Sequence, residues 1–114
     1  FRRITFLQGS AATLPFAAGA FDLVITVLAL EQMERIRAQA LSEIARVTGA
    51  HTLMMEPFRD VNSGFWQRLN IGHRGYFRVR IADLADFGLQ PLMACADFPQ
   101  KYLLRAALVL SAKR

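Results

Sequence analysis

Residues 21–57 read FDLVITVLALEQMERIRAQALSEIARVTGAHTLMMEP, and the order of apolar and amphipathic stretches in them decides the fold. An apolar run from Phe21 to Leu30 is followed by an amphipathic segment, a glycine break at Gly49 and a second apolar run from Thr52 to Pro57. Run, helix and run in that order spell one β-α-β crossover of a parallel sheet, because both strands are apolar throughout instead of alternating. Such a strand is covered on both faces. The unit therefore belongs in the middle of an α/β layer structure, and its right-handed crossover puts both strand carboxyl ends on one edge. Ligands of open α/β sheets bind along that edge.

The helix is marked by Leu30, Met33, Ile36, Ala40, Leu41, Ile44 and Val47, which fall on one face at three-and-four spacing. Glu31 and Glu34 occupy its first turn and Arg46 its last, while Gly49 stands where a left-handed cap would go. Upstream, Ile4 to Gln8 is a short β-rich run stopped by Gly9 and Ser10, and a loop through Leu14-Pro15-Phe16 leads into Phe21. Downstream, Pro57 closes the second strand, Phe65 to Leu69 suits a short helix, and Ile81 to Phe87 suits another ended by Gly88. Strands follow at Leu92 to Ala96 and Leu103 to Ala112. Their short linker leaves no room for a helical crossover, so they pair antiparallel.

At 114 residues and 12.8 kDa the chain is one domain at most, and a fold of that mass buries roughly two-thirds of its unfolded surface. A hydrophobic content of 54% with 20% charged residues argues for a globular chain rather than a disordered one. No apolar run approaches the roughly 20 residues of a membrane span. The net charge of +5 is uneven: residues 1–57 hold five Arg against five acids, and residues 58–114 hold nine Lys or Arg against four. The excess thus sits in the second half, where a solvated basic surface competes with an anionic partner such as nucleic acid. Cys95 has no second Cys for a disulfide and no nearby Cys or His for a metal site; a buried structural thiol in a reducing, cytoplasmic compartment is expected. Phe1 opens almost directly on a strand pattern without a signal peptide, which points to further residues upstream.

GSAATLPFAAGAFDLVITVLALEQM, LSEIARV, TLMMEP, DLADFGLQPL and LLRAALVLSAK in succession resemble the carboxyl-terminal two-thirds of a class I S-adenosylmethionine-dependent methyltransferase. The ubiquinone and menaquinone biosynthesis branch, which acts on small molecules, is the most similar group. The most specific part is Leu14-Pro15-Phe16 with Phe21-Asp22-Leu23-Val24 five residues on, then a helix ending Glu43-Ile44-Ala45-Arg46-Val47. The resemblance implies a Rossmann-like α/β sheet of order 3-2-1-4-5-7-6 with strand 7 antiparallel. Ile4 to Gln8 would be its third strand, and the four strands named above its fourth to seventh. The first two strands are missing, and with them the glycine-rich loop and the ribose-binding carboxylate. Without them the edge of Phe21 to Thr26 lies open to pairing with an upstream half or a second chain.

The resemblance further implies S-adenosylmethionine as cofactor, with Ser10 and Ala11 against the adenine and Thr26, Val27 and Leu28 lining the wall. Gln32 stands where relatives place a histidine near the reaction centre. Ser10 replaces the family's usual carboxylate, and a neutral hydrogen bond contributes only about 0.5 to 1.5 kcal/mol net. Methyl transfer from a sulfonium rests on positioning more than on acid-base groups, so a catalytic motif is not expected. Near the carboxyl edge, Glu56, Asp60 and His73 are candidates, with Glu56 equally suited to capping a loop and His73 to a solvated surface. Trp66, Tyr76 and Phe77 alternate with Arg68, Arg74, Arg78 and Arg80, a pattern for a substrate lid, for stacked single-stranded nucleic acid, or for core aromatics beside solvated arginines. His51 lies at the far strand end. Two functions compete most closely: methyl transfer to a small molecule within a completed domain, and a methyltransferase-like scaffold without catalysis. Nucleic-acid binding ranks below both. A nicotinamide site ranks lower still, since no Gly-x-Gly-x-x-Gly follows a strand.

Overall fold

The computed structural model describes residues 3–62, 78–98 and 105–114. Its sheet has four strands: β1 (Phe21–Val27), β2 (Thr48–Glu56), β3 (Leu89–Cys95) and β4 (Ala107–Lys113). They lie in the order β1-β2-β4-β3. β1 and β2 are parallel, whereas β4 runs antiparallel to both β2 and β3. This is the crossover and the antiparallel closing pair expected from the sequence. The fifth strand expected at Ile4 to Gln8 does not form: those residues are exposed and irregular. A strand is defined by its ladder, and no neighbouring strand stands beside this segment among the described residues. The short helix expected near Phe65 to Leu69 lies outside the described residues.

The expected single helix divides in two. A 3-10 turn at Leu30–Gln32 precedes the helix α1 (Arg37–Val47). At the break the Leu30 carbonyl accepts from the Met33 amide (3.2 Å) in the 3-10 pattern and from Arg37 Nε (2.9 Å), and the Glu31 carbonyl accepts from Arg37 Nη2 (3.1 Å). The helix end also departs from expectation. Gly49 is not a left-handed cap but a residue of β2. Thr48 turns at once into extended backbone, with its amide and its Oγ1 (2.6 Å) both donating to the Ile44 carbonyl. The glycine serves a different need, because a Cβ at position 49 would stand 2.9 Å from the Gly19 carbonyl oxygen.

At this amino edge the Leu14-Pro15-Phe16 loop is clipped to α1. Arg46 donates to both Glu43 carboxylate oxygens (2.7 and 2.9 Å), to the Phe16 carbonyl (2.8 Å) and to the Leu14 carbonyl (3.0 Å). Glu43 accepts in turn from the Leu14 amide at 2.8 Å. The Phe16 ring packs edge-on against Phe21, at 4.8 Å between centroids, and carries the clip to the start of β1.

The two faces of the sheet differ. One is covered by α1 and by the 3-10 helix Ile81–Phe87, which ends at Gly88 as expected, with that glycine left-handed. Its core joins Leu30, Ala40, Leu41, Ile44, Met54, Phe58, Leu84, Leu89 and Val109. Burying this apolar cluster supplies the main stabilisation of the layer. On the other face, register aligns Ile25 with Leu53, Leu110 and Met93, and Val27 with Met55, Leu108 and Cys95. Ile25 is 57% and Val27 58% exposed. The apolar strands imply cover on both faces, yet the described residues supply it on one. Cys95 lies at the end of the outer strand on that open face and is exposed, contrary to the buried thiol expected. Pro91 falls inside β3 instead of ahead of it, at a register shift in an edge strand, where a missing N–H is tolerated. Among the described residues no helix is long and apolar enough to cross a membrane.

Candidate functional site at the carboxyl edge of the sheet

β1 and β2 end side by side at Val27 and Glu56, and the chain leaves β1 through a sharp turn. Glycines aside, Leu28 has the only left-handed backbone among the described residues, with φ 46°. Such a conformation costs on the order of 1–3 kcal/mol unless its surroundings hold it. The Leu28 amide donates to the Met55 carbonyl at 2.8 Å. Glu56 Oε1 accepts from the amides of Ala29 (3.1 Å) and Leu30 (3.3 Å). The turn is thus fastened to the last two residues of the neighbouring strand.

Glu56 is fully buried and its Oε2 has no hydrogen-bond partner. Burial pushes its carboxyl pKa up, because desolvation penalises the charge more than the Leu30 and Ala29 amides relieve it. The Thr26 hydroxyl adds a lesser favourable contact that falls short of hydrogen-bond geometry. Beyond the turn, Glu31 to Ile36 line an opening of about 420 Å³.

Several residues named from the sequence meet here. Thr26 is buried on the α1 side, Val27 and Leu28 are exposed at the strand end, Gln32 lines the opening, and Glu56 lies behind the turn. Ala11 packs on the core, and Ser10 is exposed with its Oγ accepting from the Ala12 amide at 3.2 Å. Asp60 accepts from the Ile81 amide at 3.1 Å, so its side chain caps a 3-10 helix. His51 is exposed in the first half of β2, away from this edge. Trp66, His73 and Tyr76 lie outside the described residues.

Two contributors carried no sequence signal that singled them out. Arg37 reads as an exposed helix charge, but it grips the carbonyls of the turn. Asn62 is buried and ties the end of the 3-10 turn Arg59–Val61 to the chain before β4: its Nδ2 donates to the Phe58 and Arg105 carbonyls, and its Oδ1 accepts from the Arg105 amide. Neither role is local in sequence.

A solved S-adenosylmethionine-dependent methyltransferase from Methanosarcina mazei superposes with a TM-score of 0.71 at 13% identity, covering 92% of this chain and 65% of that one. The fold is that of the S-adenosylmethionine-dependent methyltransferases. Magnesium protoporphyrin IX methyltransferase from Synechocystis, solved with bound S-adenosylhomocysteine, gives a TM-score of 0.68 at 14% identity, over 96% of this chain and 51% of that one. The complex of the Haloferax volcanii Trm112 methyltransferase activator with its methyltransferase gives 0.64 at 19% identity, covering 96% and 61%. The chain therefore spans about two-thirds or less of the length of these methyltransferase folds. A family model described as a methyltransferase domain matches residues 1–53, which contain the clip, β1 and α1. No curated protein sequence matches the chain.

Proposed function

We propose that the chain forms part of an S-adenosylmethionine-dependent methyltransferase domain acting on a small molecule in the cytoplasm, with its site at the carboxyl edge of β1 and β2. The observation that carries this reading is the sheet order β1-β2-β4-β3 with antiparallel β4, joined to the sharp turn that exposes Val27 and Leu28 at the strand end. S-adenosylmethionine, when bound, supplies a methyl group on a sulfonium, whose leaving group is neutral. The residues present fit such a cofactor in part. Val27 and Leu28 offer an exposed apolar wall for a flat ring, and Ser10 Oγ keeps its proton and a further lone pair for a polar edge. Gln32, lining the opening beyond the turn, would face the methyl acceptor. The work of these groups is to bind, orient and exclude water, which is what methyl transfer asks of a protein.

The open face and outer edge of β1 take a further layer of the domain in this proposal, either from an upstream half of the same chain or from a partner chain. The exposure of Ile25 and Val27 supports it. One similar fold is solved in complex with an activator protein. A second reading, a methyltransferase-like subunit without catalysis, is favoured by Ser10 standing in place of a carboxylate. Calorimetric titration of S-adenosylhomocysteine, with oligomeric state measured on the same sample, tests the proposal. Saturable binding is expected; a folded, sheet-complete sample that takes up no ligand turns the account to the scaffold.

A further inference from the structure

Glu56 was open to two roles in the sequence, contact with substrate or capping of a loop. We infer that Glu56 is a positioning residue: its carboxylate holds the turn at residues 28–30 in shape through the Ala29 and Leu30 amides and does not touch the reacting molecules.

The geometry supports this on three counts. The carboxyl is fully buried, which leaves it no surface for a substrate. Its Oε1 is occupied by two backbone donors, both belonging to the turn that follows β1. That turn contains the left-handed Leu28, a conformation that relaxes unless it is held. The hold is two-sided, since Arg37 takes the carbonyls of Leu30 and Glu31 while Glu56 takes the preceding amides. Arg37 and Glu31 are the charged groups that act on Glu56, the first favouring its ionised form and the second opposing it. The consequence for ligand binding rests on the methyltransferase reading above; the tether itself does not.

The test compares wild type, Glu56→Gln and Glu56→Ala in the full chain. Amide hydrogen exchange is read residue by residue without ligand, followed by S-adenosylhomocysteine affinity. Protection of Ala29 and Leu30 falls about tenfold to a hundredfold in Glu56→Ala, relative to Ile44 and Met54. In Glu56→Gln it stays within about fivefold, because the amide oxygen still accepts. Affinity follows the same pattern. Where Glu56→Ala fails to fold, Glu56→Gln decides. Unchanged protection in a folded Glu56→Ala overturns the inference. So does a Glu56→Gln protein that keeps its protection but loses ligand affinity as completely as an alanine would, since the charge then acts on the ligand directly. If wild type binds no S-adenosylhomocysteine while the exchange pattern holds, the tether stands and the methyltransferase reading falls.

Discussion

Glu43 and Glu56 are two carboxylates of one crossover, the first at its amino edge and the second at its carboxyl edge, and they are treated oppositely. Glu43 has partners on both oxygens, Arg46 and the Leu14 amide, and the Arg46 hydrogen bond is the main force that draws its pKa down to about 2. Glu56 has partners on one oxygen only, and burial drives its pKa up. At the amino edge the charged groups of the clip are matched, Arg46 with Glu43 and with the Leu14 and Phe16 carbonyls, and Glu43 also with the Leu14 amide. The carboxyl edge holds a left-handed residue, an unpartnered carboxylate oxygen and an opening beyond them. In the proposed function, ligand chemistry belongs to the carboxyl end of the crossover and the clip to its structure.

The comparison breaks most severely at Gly49. Gly49→Val forces a side chain against the Gly19 carbonyl, and stability falls by about 1–3 kcal/mol, read as a lower urea midpoint with unchanged slope. A midpoint equal to wild type contradicts the close approach of the two glycines. Thr48→Val removes the buried hydroxyl that caps α1 at Ile44 and costs about 0.5–1.5 kcal/mol by the same measurement.

The smallest effect is the one that separates the two carboxylates by pH. The folded pKa of Glu43 lies below its ordinary value, so its contribution to stability is present above about pH 4.5 and is lost as pH falls toward about 2. The folded pKa of Glu56 lies above its ordinary value, so its contribution is complete below that value and is lost as pH rises through the raised one. Urea midpoints across pH should therefore show Glu43→Gln flattening the acid limb and Glu56→Gln flattening the opposite limb. Identical pH profiles for the two variants contradict the assignment.

Much of the fold was legible because it is written in local patterns. The apolar runs at residues 21–30 and 52–57, the helical spacing from Ala40 to Val47 and the short linker before the last strand each reduce to periodicity or chain length. Leu14-Pro15-Phe16 and the helix end Glu43-Ile44-Ala45-Arg46-Val47, both singled out through the family resemblance, are joined in the structure by the clip. What could not be read depends on contacts between distant residues. Gly49 resembles a helix cap by sequence, but Thr48 closes the helix and Gly19 decides what fits at position 49. The helical spacing from Leu30 to Ile36 ends in a 3-10 turn and not in α-helix, and Arg37 fastens that turn from a later position in the chain. Ile4 to Gln8 has the composition of a strand and no partner beside it among the described residues. Of the candidate site, Val27, Leu28, Gln32 and Glu56 were reached through family resemblance together with the strand-edge rule. The use of Glu56 as a tether was reached only through its hydrogen bonds.

The most direct test of the central claim, that ligand chemistry belongs to the carboxyl edge and not to the amino edge, is a backbone-amide spectrum of the isotope-labelled protein titrated with S-adenosylhomocysteine. The account predicts saturable shifts at Val27, Leu28, Ala29, Leu30 and Gln32, while Leu14, Phe16, Gly19 and Arg46 stay in place. Shifts concentrated on the clip, or a folded protein whose spectrum does not respond at all, would contradict it.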